Sequence, residues 1–495
     1  MSQENASSKQ PLIRYVNRQQ MSWRAVDVDR LVGEDHPARA IWTLIGRMDL
    51  RQFYQGIESS AEEGGRPAFD PQLLISLWVY AYSQGISSAR EVARRCEYDP
   101  AFQWLTGLQE VNYHTLADFR VEKQNELDEL FTQVLAALSK EGLITLDQVM
   151  QDGTKIRAAA SPRSVQREST IREHWERARR RVKEMGDPRD EESNPRVKQA
   201  RLRAQREQQE RLDRAMEELE KLHKLKAARS PNKRVSISDP EARLMKQPQG
   251  GLALSYNAQL STDAAHGLIV GVSVTQAAND WGQLLPGLEQ IDQRLKQKPK
   301  QAVADAGYTT RAVIEEMAER QMDFLGSMPR EDACSGRTAP HRLPPSAFLY
   351  QPETDSYLCP GDKFLRYEGR IKNERGLISY RYQARREDCE PCAHKPECCP
   401  ENQKRGRGLL RIEESVAVQA FRQKMASEEA QASYRRRGRV AEFCNAWIKS
   451  KLGLRQFHVR GLLKVQTEML WACLTYNLQQ WIRLRKTSTV AAANC

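Results

Sequence analysis

Apolar residues recur at helical spacing through residues 30–140, and the period then changes twice. "DPQLLISLWVYAYSQG" opens with Asp70 as N-cap and Pro71 in the first turn, and it stops at Gln84-Gly85. "ISSAREVARRCEY" begins with Ser88 and has Glu91 three residues on, the spacing of a capping box. Two helices joined through "SQGISS" are compatible with a helix-turn-helix whose exposed side carries Arg90, Arg94 and Arg95. An ordinary helical bundle with a solvated charged face fits the same pattern.

From about 162 to 230 the pattern becomes charged. Ile171, Trp175, Ala178, Val182 and Met185 lie alternately four and three apart, and a second charged helix runs through Leu212, Met216 and Leu219. This predicts an antiparallel helical hairpin. Period two then returns: "LSYNAQLSTD" and "HGLIVGVSVTQ", separated by "AAHG", predict a β-hairpin. An amphipathic helix follows in "DWGQLLPGLEQIDQRL", then a strand in "KQAVADAGY", a helix in "TRAVIEEMAERQ" and a strand in "MDFLGSMPR". With an earlier strand ending at Asp152, this order predicts a mixed α/β sheet. A Pro-rich, cysteine-bearing stretch covers about 331–404, and helical spacing resumes to about 485.

Composition narrows the class. The 495 residues allow two or three domains, and a hydrophobic fraction of 40% supports real cores. The formal net charge of +12 favours a polyanionic partner, nucleic acid before an anionic membrane. No run of about 18 apolar residues predicts a membrane span. The first segment, "MSQENASSKQPLIRY", lacks a secretory apolar core and predicts a short disordered arm. Five of the ten cysteines fall between Cys359 and Cys399, which suggests metal before disulfides and an intracellular setting.

The candidate chemistry lies in carboxylates at strand ends. Asp152 and Asp305 each follow a short apolar run, with Gly153 and Gly307 close behind. Two such aspartates plus a helix-borne acid would make an oxygen-rich cage for hard divalent cations. Two Mg²⁺ ions about 3.5–4 Å apart would suit phosphodiester cleavage. The plainer reading of either aspartate alone is a cap or a turn. The helix-borne acid is Glu442 in "YRRRGRVAEFCNAWIKSKL". On one helix, Tyr434, Arg437, Glu442, Asn445 and Lys449 would share an arc of roughly 140°, with Arg437 and Lys449 placed to grip phosphates. Asp280 in "ANDWGQ" is a further acid near the sheet, taken as supporting or structural.

These blocks form an ordered series. "MQDGTKIRAAAS", "ISDPEARLM…GGLALSYNAQL", "ANDWGQLLPGL", "AVADAGY" and "YRRRGRVAEFCNAWIK" resemble the successive blocks of DDE transposases of bacterial insertion sequences. "DHPARAI…GGRPAFDPQLLISLWVYAYSQGISSAREVARRC…HTLADFR" resembles the helical domain preceding the catalytic core in that group. The resemblance spans about residues 20–485. It implies an α/β ribonuclease H-like core in which Asp152, Asp305 and Glu442 bind two catalytic Mg²⁺ or Mn²⁺ ions. It also implies that Tyr434, Arg437 and Lys449 match the family's residues around the glutamate. Here the step from Arg437 to Glu442 is one residue longer than in the best-known version of that signature. The implied partners are double-stranded DNA, as terminal inverted repeats and target, and a second copy of the chain, because two ends must be cut together. No membrane is involved, and the place of action would be the bacterial cytoplasm at the nucleoid.

The expected organisation is a disordered arm (1–20), an all-α DNA-binding domain (21–140), and a core (141–330) with the helical hairpin inserted at 162–230. A cysteine-rich insertion (331–404), a helical end carrying Glu442 (405–485) and a tail (486–495) follow. Within the insertion, Cys359, Cys389, Cys392 and Cys398 suit one structural Zn²⁺, with His394 or Cys399 as a substitute ligand; reduced, unligated thiols are the alternative. Two other functions fit parts of the pattern: a catalytically silent DNA-binding derivative, and an RNase H-like nuclease of other specificity. Retention of all three acids counts against the first, and the long helical domain with the ordered series counts against the second. Trp281 and Trp447 suit either base stacking or ordinary packing.

Overall fold

The computed structural model describes residues 19, 21, 25–55, 57, 67–184, 195–224, 234–328, 343–372, 378–399 and 405–493. Side chains of 182–184, 195–198, 200 and 488–493 lie outside that description. Apart from Gln19, so does the arm expected at 1–20, as do Met185 and the Val182 side chain of the hairpin stripe.

The first part is helical: α1 (Pro37–Ile45), α2 (Arg51–Tyr54), α3 (Pro71–Ser83), α4 (Ala89–Tyr98), α5 (Pro100–Thr106), α6 (Tyr113–Glu122) and α7 (Gln124–Lys140). The Asp70 carboxylate accepts from the Gln72 N–H, and α3 ends where Gly85 takes a φ of 73°. The capping box expected at α4 does not form. Ser88 makes no side-chain cap bond, and the Glu91 carboxylate is taken up instead by Arg94 at 2.7 Å and Arg95 at 3.0 Å.

Next come β1 (Gln148–Arg157), β2 (Val165–Arg167), α8 (Glu168–Glu184), α9 (Pro195–Lys224), β3 (Arg234–Ser236) and β4 (Arg243–Lys246). They are followed by β5 (Leu252–Asp263), β6 (Leu268–Thr275), α10 (Leu284–Leu295), β7 (Gln301–Ala304), α11 (Arg311–Glu319) and β8 (Asp323–Gly326). β5 has β1 on one side, and on the other β4 along its start and β6 along the rest, all antiparallel. β1, β7 and β8 continue the sheet in parallel. Helices cover both faces of this mixed sheet, which is compatible with an RNase H-like core. The hairpin α8–α9 packs Ile171 and Ala178 against Leu212, Ala215 and Leu219.

The cysteine-bearing stretch is more ordered than its Pro-rich composition suggests. β9 (Leu349–Gln351), β10 (Ser356–Leu358), β11 (Phe364–Lys372) and β12 (Ile378–Gln383) precede two short turns of helix, α12 (Arg386–Cys389) and α13 (Lys395–Cys398). β13 (Gly408–Ile412) closes an antiparallel sheet in the order β13-β12-β11-β10-β9. This sheet therefore reaches past the boundary expected at 404. The chain ends with α14 (Val416–Ala426), α15 (Glu428–Arg437), a π-helical turn (Gly438–Glu442), α16 (Phe443–Ser450) and α17 (Leu462–Ala493). α17 runs on through the stretch expected to be a tail. It buries Met469, Trp471, Leu474 and Leu478 in one hydrophobic cluster shared by α3, α7 and β6. Asn477 bonds both the N–H and the carbonyl of Ile269, serving β6 as a side-chain substitute for a neighbouring strand. No helix among the described residues is long and apolar enough to cross a membrane.

Candidate active site

Sheet register, more than strand ends, brings the two aspartates together. β1 does not stop at Asp152. It continues to Arg157 against β5, where Asp152 lies opposite Leu260. β7 is the strand that stops there: Gln151 pairs with Ala304, the last residue of β7, so Asp305 takes the next place beside Asp152. Neighbouring strands are about 4.8 Å apart, which makes the two carboxylates side by side in a notch left by the end of β7.

Glu442 arrives from the helical side. Met150, Val303 and Leu325 pack against Ala430 and Ala441, seating α15 and the π turn on the Asp152 face of the sheet. Arg437 lies 3.6 Å from Asp152 Oδ1 and 3.8 Å from Glu442 Oε1, bridging the acids. The Asp152 side chain is 16% exposed and that of Glu442 64%. One turn further on, the Asn445 amide donates to Asp152 Oδ2 at 2.9 Å. Burial pushes the Asp152 carboxyl up to about 6; neighbouring Asp305 adds to this, while Arg437 and the Asn445 bond oppose it. Burial also lowers the Lys449 ammonium, partly offset by Asp152. Tyr434 is half-buried against the same cluster that seats the helix, under the Arg437 guanidinium at 5.9 Å.

A fourth carboxylate comes from the opposite face. Asp280 Oδ1 accepts from Asn257 Nδ2 at 2.8 Å and Gln259 Nε2 at 2.7 Å. It fills the space that a side chain at Gly153 would need, since a Cβ there would lie 2.2 Å from Asp280 Oδ1. A Cβ on Gly307 would lie 3.0 Å from Asp305 Oδ1 and 3.4 Å from Asp280 Oδ2, so the Gly307 turn sits between these two acids. Burial raises the Tyr308 hydroxyl, and Asp280, Asp152 and Asp305 raise it further. Asn257, Gln259 and Asp280 were not picked out as a unit from sequence. The available signal was the alternation of Ser255, Asn257, Gln259 and Ser261 with apolar residues in β5, all four now buried.

The donor set of Asp152, Asp305 and Glu442 is all oxygen, suited to a hard divalent cation, and the Arg437 guanidinium marks where positive charge is already held. As they stand, no three His, Cys, Asp or Glu side chains are gathered closely enough to hold a metal ion among the described residues. The same applies to the thiols. Cys359, Cys389, Cys392, Cys398 and Cys399 line one cavity with His394, and none of them is disulfide-bonded. Burial pushes the Cys389, Cys398 and Cys399 thiols up.

Other expected residues lie elsewhere. Arg90, Arg94 and Arg95 are on α4: Arg90 covers the Tyr113 ring at 5.1 Å, and the other two are committed to Glu91. Trp447 packs on Tyr476 and donates to Gln479, as a core residue would. Trp281, beside Asp280, is 55% exposed.

Two stretches of the chain match transposase family models. Residues 26–122 match a transposase domain, and residues 358–482, which include Arg437, Glu442 and Lys449, match a transposase DDE domain. These two matches indicate a DDE-type transposase of insertion-sequence type. No curated protein and no solved structure matches the chain.

Proposed function

We propose that this protein binds the terminal inverted repeats of its insertion sequence and catalyses metal-dependent strand cleavage and strand transfer on an RNase H-like core. The observation that carries this is the convergence of Asp152 and Asp305, adjacent by register, with Glu442 on a helix pinned to the same face through Arg437. Asp152, Asp305 and Glu442 would hold two Mg²⁺ or Mn²⁺ ions, which when bound supply an activated water and charge neutralisation at the leaving oxygen. The chain itself supplies the rest. Asn445 fixes one oxygen of Asp152, and Asp280 with its two amide donors stiffens the wall behind Gly153. Arg437 and Lys449 present cations to the scissile phosphate, the first as a planar fork and the second as a point charge. A freed 3′ hydroxyl then attacks target DNA, so no serine or cysteine nucleophile is needed. The helical domain with Arg90 would contact the repeats, and two copies would act together, at the nucleoid. Cys359, Cys389, Cys392 and Cys398 would hold one structural Zn²⁺ in the second sheet.

The test is a supercoiled plasmid carrying the element's ends, incubated with Mg²⁺ and wild type or Asp305→Asn. Breaks at the ends with wild type alone are the expected result. Equal loss of end binding and cleavage in the variant would remove Asp305 from the catalytic set, and breaks with neither protein would remove the cleavage function.

A further inference from the structure

The α8–α9 hairpin has a charge distribution that its packing does not require. Its far half, residues 177–184 and 195–206, carries ten Lys and Arg against one acid, Glu184. Its near half, residues 168–176 and 207–224, carries five against nine. Three of the near-half acids have structural partners: Glu218 bonds Lys221 and Arg243, Glu168 bonds Arg172 and His223, and Asp213 accepts from Trp175. In the far half, Arg177, Arg180, Arg181, Arg203 and Arg206 are exposed, with no acid paired to them among the described residues.

The arm is held at its root and reaches outward. Glu168 meets His223 and Trp175 meets Asp213, and continuing that register puts the α9 turns before Arg206 beyond the end of α8. At 1.5 Å per residue, the 30 residues of α9 span about 45 Å. The root leaves the sheet at the end of β1, five residues past Asp152, or about 17 Å at strand spacing. No large hydrophobic side chain of the hairpin is exposed among those described, so a protein partner would find no apolar anchor. A closely spaced row of cations without apolar contacts fits a regular polyanion.

We infer that the far half of this hairpin is a second DNA-binding surface, gripping the phosphates of duplex beside the cleavage point without reading its sequence. The inference rests on the DNA substrate proposed above. The experiment uses the full chain and a variant with Arg177, Arg180, Arg181, Arg203 and Arg206 all changed to Gln, with the five Arg→Lys changes as charge control. Fluorescence anisotropy on a duplex of random sequence is read from 0.05 to 0.3 M salt. Each lost phosphate contact removes about 0.9 from the slope of log K against log salt. The Gln variant should lose about 2 or more and bind about tenfold or more weakly at 0.1 M salt, while the Lys variant stays near wild type. A Gln variant with wild-type slope and affinity overturns the arm, as does a wild type with no salt-dependent duplex binding. A change in oligomeric state at unchanged slope would reassign the arm to a partner subunit. Failure of end cleavage by a wild type whose slope still depends on the arm would instead remove the cleavage function and leave the arm standing.

Discussion

Replacing Asp152 by asparagine should abolish cleavage and yet stabilise the metal-free fold. Burial moves the carboxyl from 3.8 to about 6. The raised value belongs to the folded chain, which therefore binds this proton more tightly than the unfolded chain does. The stability this contributes is complete below 3.8 and is lost as pH rises through about 6. At about 1.4 kcal/mol per pH unit, the loss at pH 7.5 is about 3 kcal/mol. The opposing effects of Arg437 and Asn445 are already contained in that figure, because both lower the same pKa.

Asparagine keeps the size and an acceptor for Asn445 but carries no charge, so it should recover most of this amount. With an unfolding entropy of about 2.1 cal/mol/K per residue, a chain of this length unfolding as one unit would gain about 3 °C in Tm. Scanning calorimetry in a chelator should show that gain at pH 7.5 and its disappearance by pH 4. Saturating Mn²⁺ should raise the Tm of wild type and leave Asp152→Asn unmoved. A variant less stable than wild type at pH 7.5, or a gain independent of pH, would refute the reasoning.

Three further outcomes test the surrounding residues. Asn445→Ala removes a hydrogen bond that favours the charged form of Asp152, so the acid limb of the cleavage profile should move to higher pH; a limb that stays in place in a pH–rate series argues against the role. Gly153→Ala pushes a methyl into Asp280 and Gln259, which should cost about 1–3 kcal/mol and end cleavage. Because the clash is with Asp280, Gly153→Ala and Asp280→Ala should be non-additive in thermal denaturation, and simple additivity would dismiss it. Deleting Arg439, an exposed residue of the π turn, leaves the four-residue step of an α-helix, so cleavage should persist near the wild-type rate, as with Arg439→Ala; loss of cleavage by the deletion alone, with duplex binding intact, would argue against the π turn as the element that absorbs the extra residue.

Much of the fold was legible because local signals agreed with it. Asp70, Pro71 and Gly85 bound α3 as their chemistry predicts, and the alternation in β5 and β6 gave a hairpin. Asp152 misled because a charge and a glycine, with a lysine two residues on, break an apolar run. The strand survives there since β5 pairs with β1 along its whole length and Gly153 makes room for Asp280. The adjacency of Asp152 and Asp305 is a matter of register, which depends on hydrogen bonds between segments about 150 residues apart and leaves no mark in either segment alone. The second sheet was hidden for another reason. Two of its strands, β9 and β10, have only three residues each, and the longest, "FLRYEGRIK", carries exposed Arg, Glu and Lys on one side, with cysteines and prolines scattered between the strands.

The extra residue between Arg437 and Glu442 shows how spacing and geometry separate. In an unbroken α-helix, five residues turn about 500°, which would swing Glu442 some 140° away from Arg437. The chain instead winds Gly438–Glu442 as a π turn, closed by bonds one residue longer than those of the α-helix. Five residues then complete a little over one turn, as four do in an α-helix, and Glu442 returns to within 3.8 Å of Arg437. From Glu442 onward α16 is regular, so Asn445 and Lys449, three and seven residues later, come back toward the Glu442 side of the helix and meet Asp152. The inserted residue is absorbed where the helix faces the carboxylates, while Ala430 on one side and Ala441 on the other keep their seats against the sheet. A π turn forfeits regular helix bonding, and such turns are frequent at functional sites. Its position, directly after Arg437 and ending on Glu442, is what ties the two to one site.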